Sequence, residues 1–315
     1  MTTAFIFPGQ GSQAVGMGRE LAERYEIARN VFTEVDDTLS HALSQTMWEG
    51  PKEVLTLTEN AQPALMAVSV AAVRVLESEF GVPVSSAAFL AGHSLGEYSA
   101  LAAGGALSLA DAARLLRLRG KAMQSAVPVG EGAMVALLGA DVDVARKIAE
   151  RASGADVLDI ANDNDQGQVV LSGAKSACDR VPAIAKEFGV RRAIPLDVSA
   201  PFHCRLMQPA ADAMAQALSQ TLISQPRVPI VANVTARATR DPIEIRDNLI
   251  AQVVGTVRWR ESVIAMKEAG VTTYAELGSG RVLSGLVRRI DPDCTTGSAG
   301  VPDEFETLAR LLLGD

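Results

Sequence analysis

The sequence has 315 residues, of which 48% are hydrophobic and 21% are charged, so it can form one large domain or a large domain with a smaller companion. Its formal net charge of −8 argues against nucleic acid as the main partner, because phosphate binding needs a basic face. The sequence has no apolar run long enough to cross a bilayer and no secretory signal pattern. Its three cysteines have neither metal-ligand nor disulfide spacing. We therefore expect a cytoplasmic protein without a membrane partner.

Predicted strands and helices alternate along most of the chain. Short apolar runs bounded by glycine or polar residues predict buried strands at Thr3–Phe7, Ala87–Ala91, Pro229–Ala232 and Thr272–Leu277. Longer runs with helical periodicity predict helices at Gln62–Phe80, Leu109–Ala126, Leu206–Leu222, Val257–Glu268 and Val282–Ile290. This alternation predicts an α/β fold in which helices cover both faces of a parallel sheet.

The middle of the chain has a different pattern. Strands are predicted at Ala133–Leu138, Val157–Ala161, Gln168–Ser172 and Val190–Asp197, helices at Val142–Arg151 and Ala174–Phe188, and a turn-rich loop at Asn162–Gly167. The resulting order, βαββαβ, is that of a ferredoxin-like unit. We therefore predict a small ferredoxin-like subdomain, residues 129–198, inserted in a large α/β domain made of residues 1–128 and 199–315.

A candidate nucleophile lies in the segment Gly92–Gly96, which reads GHSLG. The segment follows a predicted strand and opens a predicted helix, the setting of a nucleophile elbow. A sharp turn there would project the Ser94 hydroxyl from the sheet edge and direct the Leu95 N–H toward an oxyanion. The alternative is an ordinary strand-to-helix turn, but the setting favours a nucleophilic serine.

A serine nucleophile needs a base, and the chain has three histidines. His41 lies in a polar segment without other chemical signals, and the ring of His93 is expected to pack beneath the elbow. His203 follows a predicted strand on the loop Ser199–His203, which Pro201 stiffens, and it is the best candidate for the base. No acidic residue stands out as a third member, so a backbone carbonyl could orient the ring.

Two further segments have possible roles in a site. The loop Pro8–Gln13 follows the first strand and its glycines allow close approach to a ligand, so this loop could supply a second oxyanion donor, with a plain tight turn as the alternative. One of the three arginines on the basic helix, Arg114, Arg117 or Arg119, could bind a carboxylate with its bidentate guanidinium. The residues alone do not choose among these arginines.

Five motifs in order resemble the malonyl-CoA:acyl-carrier-protein transacylase family, which includes the acyltransferase domains of fatty-acid and polyketide synthases. They are FPGQGSQ at Phe7–Gln13, GHSLGEYSAL at Gly92–Leu101, RGKAMQ at Arg119–Gln124, SAPFHC at Ser199–Cys204 and ELGSGRVLSGL at Glu276–Leu286. The resemblance covers nearly the whole chain. It implies a hydrolase-like core with a ferredoxin-like subdomain.

The resemblance also implies a role for each matching residue. Ser94 would carry the malonyl group as an ester, and His203 would act as base and then as acid. The backbone N–H groups of Gln10 and Leu95 would hold the oxyanion. Arg119 would pair with the malonyl carboxylate, and the carbonyl of Gln252 would orient the histidine. These roles would need no bound cofactor, because the coenzyme A thioester is a substrate.

Substrate and partners follow from the same resemblance. Phe202 matches the malonyl-selective pattern, since an aromatic wall leaves little room for an α-methyl branch, and Met123 is expected to line the acyl pocket with it. The acceptor would be the phosphopantetheine thiol of an acyl carrier protein, and the chain is expected to be a monomer. The sequence departs from the family at 162–167, where relatives often have a proline; this predicts an altered docking loop with unchanged chemistry.

Three alternatives share the same residues. The transacylase component of a malonate decarboxylase would have the same catalytic set. A serine thioesterase would use water as the acyl acceptor and release free malonate. A docking module would keep the fold without turnover, which the intact set of Ser94, His203 and Arg119 argues against.

Overall fold

We describe the fold from a computed structural model, which covers residues 2–314; the ends of the predicted large domain, Met1 and Asp315, lie outside it. Ten strands occur in this range: β1 (Thr3–Phe7), β2 (Phe89–Gly92), β3 (Gly132–Leu138), β4 (Leu158–Asp165), β5 (Gln168–Ala174), β6 (Arg192–Pro195), β7 (Ile230–Val231), β8 (Ala238–Thr239), β9 (Thr273–Leu277) and β10 (Thr295–Ala299).

Fourteen α-helices occur in the same range, besides short 3₁₀ turns. They are α1 (Arg19–Arg24), α2 (Glu26–Leu39), α3 (Leu43–Glu49), α4 (Lys52–Thr56), α5 (Thr58–Phe80), α6 (Gly96–Ala103), α7 (Leu109–Ser125), α8 (Val142–Ser153), α9 (Lys175–Glu187), α10 (Gln208–Ser219), α11 (Pro242–Val254), α12 (Trp259–Glu268), α13 (Val282–Ile290) and α14 (Phe305–Leu313). None of the helices between residues 2 and 314 is long and apolar enough to span a membrane.

The main sheet has six strands in the order β10-β9-β1-β2-β7-β8. All neighbouring pairs are parallel except β7 and β8, which are antiparallel. The predicted parallel α/β sheet is therefore confirmed. Because parallel strands end at one edge, the loops after β1, β2, β7 and β9 meet there, as expected for a ligand site in such a sheet.

A second sheet has four antiparallel strands in the order β4-β5-β3-β6. Helices α8 and α9 pack on it, and their apolar residues form a core of its own with residues such as Leu137, Ile148 and Val181. The main sheet has larger cores, one of them beneath α2, α5 and α7, where Ala64 and Leu116 are fully buried.

The predicted loop at Asn162–Gly167 is wrong. Strand β4 continues to Asp165, and the chain reverses through Gln166 and Gly167 alone. Asp163 and Asp165 are only 1% and 4% exposed, and they pair with Arg260 of α12 and Arg289 of α13. The polar composition that predicted a loop instead belongs to a strand whose acidic side chains are neutralised across an interface.

Several other elements differ from prediction. The predicted helix Leu206–Leu222 is a 3₁₀ turn, Arg205–Met207, followed by α10, and the predicted helix at Gln62 begins four residues earlier, at Thr58. Strands β8 and β10 were not predicted, because they are partly exposed edge strands of small and polar residues. The remaining predicted strands lie within two residues of the observed ones.

Candidate active site

Ser94 lies at the tip of a strained turn between β2 and α6. Its backbone φ of 53° is in the left-handed region, which costs energy for a residue other than glycine. The flanking glycines make the turn possible, because a Cβ at Gly92 would lie 1.9 Å from the Gly96 carbonyl oxygen and one at Gly96 would lie 2.3 Å from the Phe7 oxygen. The sequence therefore folds this segment so that the serine projects from the sheet edge.

His203 and Ser94 form the predicted pair. Ser94 Oγ lies 2.7 Å from His203 Nε2, and Nδ1 lies 2.8 Å from the Gln252 carbonyl oxygen. A carbonyl only accepts, so Nδ1 carries the proton and Nε2 is left to accept from the serine hydroxyl. Burial, aided by the charge of Arg119, lowers the pKa of His203 to about 3, which keeps the ring neutral and able to take a proton. His203 also has a left-handed backbone, with φ of 57°.

Arg119 is the arginine that reaches the serine. It is 1% exposed, and its guanidinium donates to Gln62 Oε1 (2.8 Å), Gln252 Oε1 (2.9 Å) and Ser94 Oγ (3.1 Å). Arg114, in contrast, pairs with Asp111 at the surface. Arg117 is half-buried and donates to the Asn60 side chain. The structure thus distinguishes three arginines that the helical pattern alone left equivalent.

A buried polar network supports the serine from below. The Asn233 side chain accepts from Ser94 N (2.7 Å) and donates to Gly92 O (2.7 Å), while the Gln252 amide donates to Ser94 O (3.1 Å). One oxygen of Glu97 accepts from both Gln252 Nε2 (2.8 Å) and Asn233 N (3.0 Å). The side chains of Glu97, Asn233 and Gln252 are at most 2% exposed.

Sequence reasoning missed Gln62, Glu97 and Asn233, since nothing local distinguishes a buried amide or acid from a surface one. Only Glu97 falls in one of the five motifs.

Two backbone N–H groups near the nucleophile have no protein acceptor among the described residues. Within residues 2–314, neither Gln10 N nor Leu95 N donates to a protein acceptor. The loop after β1 is held by the Ser279 hydroxyl, which donates to Ser12 O at 2.7 Å, and by Gly11 N, which donates to the Gln13 side chain. Free donors on a fixed backbone suit a developing oxyanion.

Ser94, His203 and Arg119 line a cleft of about 360 Å³ between the two sheets. Phe202 and Met123 also line it, and they are 8% and 1% exposed. The cleft has the size of a small-molecule site and combines apolar walls with one buried cation.

The two other histidines, and the cysteine next to His203, do not hydrogen-bond with the serine. His41 is exposed. His93 also lines the cleft, but its Nε2 lies 2.9 Å from Asn164 Oδ1 on β4. Cys204 is fully buried, and burial raises its pKa to about 11, so it is a poor nucleophile. Among the residues described, no cluster of three or more histidine, cysteine and acidic side chains could hold a metal ion.

This fold, with its buried site, is that of an acyltransferase. The family model described as an acyl transferase domain matches residues 4–288. The chain is 43% identical over 310 residues to the malonyl CoA-acyl carrier protein transacylase of Bacillus subtilis (98% of this chain, 96% of the relative). It is 44% identical over 308 residues to the enzyme of the same name from Escherichia coli K12 (98% and 99%). The chain belongs to the malonyl CoA-acyl carrier protein transacylase family.

Solved structures agree with this membership. The acyl-carrier-protein S-malonyltransferase of Bartonella henselae superposes with a TM-score of 0.96 at 51% identity, with 99% of each chain covered. A malonyl-transacylase in complex with its type II polyketide acyl-carrier protein superposes with a TM-score of 0.95 at 39% identity, covering 99% of this chain and 100% of that one.

Proposed function

We propose that this enzyme transfers a malonyl group from malonyl-CoA to the phosphopantetheine thiol of acyl carrier protein, in fatty-acid synthesis, through a malonyl ester of Ser94. The observation that carries the proposal is the buried guanidinium of Arg119, 3.1 Å from the hydroxyl that His203 also contacts. A cation at this distance suits an acyl group that ends in a carboxylate. The names of the relatives support the same substrate and acceptor.

In the first half-reaction, Ser94 Oγ attacks the thioester carbonyl while His203 Nε2 takes the hydroxyl proton. The N–H groups of Gln10 and Leu95 stabilise the oxyanion, and the Gln252 carbonyl holds the imidazolium in place. The tetrahedral intermediate then expels the coenzyme A sulfur, and His203 returns the proton to it. Arg119 meanwhile holds the malonyl carboxylate.

The second half-reaction reverses these roles. The carrier thiol enters the same cleft, His203 removes its proton, and the sulfur attacks the ester carbonyl of Ser94. Collapse of the intermediate breaks the ester bond, and His203 protonates the serine oxygen. The chemistry is complete with these residues and requires no bound cofactor.

Phe202 and Met123 form the apolar part of the acyl pocket in this proposal. Both lie in the cleft, and their bulk leaves little space beside the α-carbon of a bound malonyl group. The pocket therefore favours malonyl over methylmalonyl on steric grounds, by a factor on the order of 10- to 200-fold for one methyl-sized group.

We further propose the architecture that accompanies this activity. The order and antiparallel pairing of β3 to β6, with α8 and α9, support a ferredoxin-like subdomain at 129–198. Residues 2–128 and 199–314 then form a hydrolase-like domain, consistent with the elbow after β2. We propose a cytoplasmic monomer.

The test is intact-protein mass spectrometry after mixing with malonyl-CoA and then with a holo carrier protein. The wild-type chain should gain one malonyl group, which the carrier then removes and acquires. Ser94→Ala should gain none, and its transfer rate should fall by several orders of magnitude. Loss of the adduct to free malonate, without a malonylated carrier, would indicate a thioesterase and contradict the proposal.

A further inference from the structure

Glu97 is a buried acid that the mechanism above does not use. It lies on α6, three residues after the nucleophile, and is 2% exposed. A buried carboxylate needs hydrogen bonds or a nearby cation, since desolvation penalises its charge. The contacts of Glu97 show which groups stabilise it and what it positions.

The carboxylate fixes the orientation of the Gln252 amide. Glu97 Oε2 accepts from Gln252 Nε2 at 2.8 Å, so the other end of the amide, Oε1, is directed to Arg119 Nη2 at 2.9 Å. With an amide nitrogen in that position, Arg119 would meet a donor in place of an acceptor. Glu97 therefore holds Arg119 in place through one intervening amide.

Glu97 also interacts electrostatically with the guanidinium of Arg119. Facing it are Arg119 from α7 and Tyr98 from its own helix, while α11 and the loop after β7 present the amides of Gln252 and Asn233. In the unloaded site, an ionised Glu97 balances the guanidinium. A malonyl carboxylate adds a second negative charge to this pair, and the two anions repel each other in a buried environment.

We propose that Glu97 is a positioning residue for malonyl selectivity: it orients Arg119 through Gln252 and takes up a proton when the malonyl carboxylate binds. This inference rests on the proposed function. Burial raises the pKa of Glu97 to about 7, against the hydrogen bonds from Asn233 and Gln252 and the charge of Arg119, so the proton exchange falls in an accessible range. His203, which shares Gln252 with Glu97, stays neutral there.

The protonation state of Glu97 should make the ratio of malonyl to acetyl transfer depend on pH. Below the pKa, Glu97 is neutral and Arg119 is fully available to the malonyl carboxylate. Above it, the ionised acid opposes the substrate anion, so the ratio of malonyl to acetyl transfer should fall as pH rises from 6 to 8.5. We expect a decrease on the order of 10-fold. Acetyl transfer has no such charge and serves as the internal reference for changes in Ser94 and His203.

The experiment compares the wild-type chain with Glu97→Gln, measuring kcat/KM for malonyl-CoA and acetyl-CoA across this pH range. A glutamine oxygen can still accept from Gln252 and Asn233, so positioning is retained and only the charge is lost. The malonyl-to-acetyl ratio of Glu97→Gln should be independent of pH. Glu59→Gln is the matched control: Glu59 pairs with Lys121 on the outer face of α7, so its ratio should follow the wild-type curve.

A second measurement does not require Glu97→Gln to fold, because it leaves Glu97 unchanged. Calorimetric titration of Ser94→Ala with malonyl-CoA in buffers of different ionisation enthalpy should reveal net proton uptake near pH 7.5, relative to acetyl-CoA, which has the same coenzyme. Equal proton exchange for both ligands, or a wild-type ratio that does not change with pH, would overturn the inference. Failure of the proposed function is distinct, since the wild-type chain would then form no malonyl-serine or malonylate no carrier at any pH.

Discussion

At the residue scale, the guanidinium of Arg119 is oriented before substrate arrives. Gln62 and Gln252 accept from it on two sides, and Ser94 Oγ occupies the direction in which an acyl group would lie. Nε has no partner among the residues described, so the group retains a donor in a buried site. Such preorganisation lowers the cost of aligning a substrate carboxylate.

Arg119→Ala should therefore remove selectivity for the carboxylate. Truncating one partner of a buried charge pair costs about 2–5 kcal/mol, so malonyl transfer should fall by roughly tens- to several thousand-fold. Acetyl transfer should change little, because its acyl group does not use the guanidinium. Steady-state kinetics with both thioesters measure the ratio.

The control for this prediction is Arg114→Ala, since Arg114 lies on the same helix but pairs with Asp111 in solvent. Arg117 is unsuitable as a control because it is half-buried and contacts Asn60. An equal loss of malonyl and acetyl transfer in Arg119→Ala would make the arginine structural.

Residue-scale prediction from the sequence succeeded where a motif or a small set of candidates existed. The elbow around Ser94 and elimination among three histidines were sufficient to indicate the pair that the structure brings to 2.7 Å. Choosing Arg119 required a family resemblance. Glu97 and Asn233 were missed because their burial depends on segments more than 130 residues apart, which a local pattern does not contain.

At the element scale, the site consists of loops that leave the same edge of the main sheet. The loop after β9 lies against the loop after β1, and the Ser279 hydroxyl donates to Ser12 O at 2.7 Å. Glu276, at the end of β9, accepts from the first N–H groups of α13 and fixes the base of that loop. The last sequence motif thus supports the loop that carries the Gln10 N–H.

Ser279→Ala should loosen the loop after β1, which carries the proposed oxyanion donor Gln10 N–H, without affecting the surroundings of Arg119. We expect kcat to fall roughly 3- to 30-fold, less than the factor on the order of 100-fold for loss of an oxyanion donor itself, with KM nearly unchanged. Pre-steady-state rates of malonyl-serine formation measure the effect. Ser298→Ala, on the neighbouring strand β10, is the matched control and should behave as wild type; an unchanged rate in Ser279→Ala would contradict the supporting role.

Strand β4 illustrates why element boundaries were harder to predict than element types. Its sequence from Asn162 to Asp165 is polar, and polarity indicates a loop when no partner is known. The strand persists because Asp163 and Asp165 pair with arginines of α12 and α13, and because Asn162 forms a bridge with Val257. Tertiary contacts therefore overrode the local signal.

At the scale of the whole molecule, the two sheets are joined around the cleft by polar contacts. His93, next to the nucleophile, bonds with Asn164, and the acids of β4 pair with Arg260 and Arg289. The same buried site that performs the chemistry also contains groups with displaced pKa values, among them Glu97 and His203. Their displacement links the chemistry to the stability of the fold.

These two groups should affect the pH dependence of unfolding with opposite signs. The pKa of His203 is lowered from 6.5 to about 3, so between these values the unfolded chain binds a proton that the folded chain does not, and stability is lost as pH falls below 6.5. The pKa of Glu97 is raised from 4.5 to about 7, so the folded chain holds the extra proton, and stability is lost as pH rises from 4.5 to 7. Each slope is at most about 1.4 kcal/mol per pH unit.

Between pH 4.5 and 6.5 the two contributions offset each other in the wild-type chain, and single substitutions should separate them. Relative to wild type, His203→Gln should gain unfolding free energy as pH falls from 6.5 to 5, whereas Glu97→Gln should lose it, because each variant lacks one of these two opposing contributions and keeps every other titrating group. Urea unfolding at both pH values measures the two differences, and subtracting the wild-type curve cancels the titration of surface groups. Differences of the same sign in the two variants would contradict the burial-induced displacement of one of these groups, and would leave the neutral state of His203 at neutral pH without its physical basis.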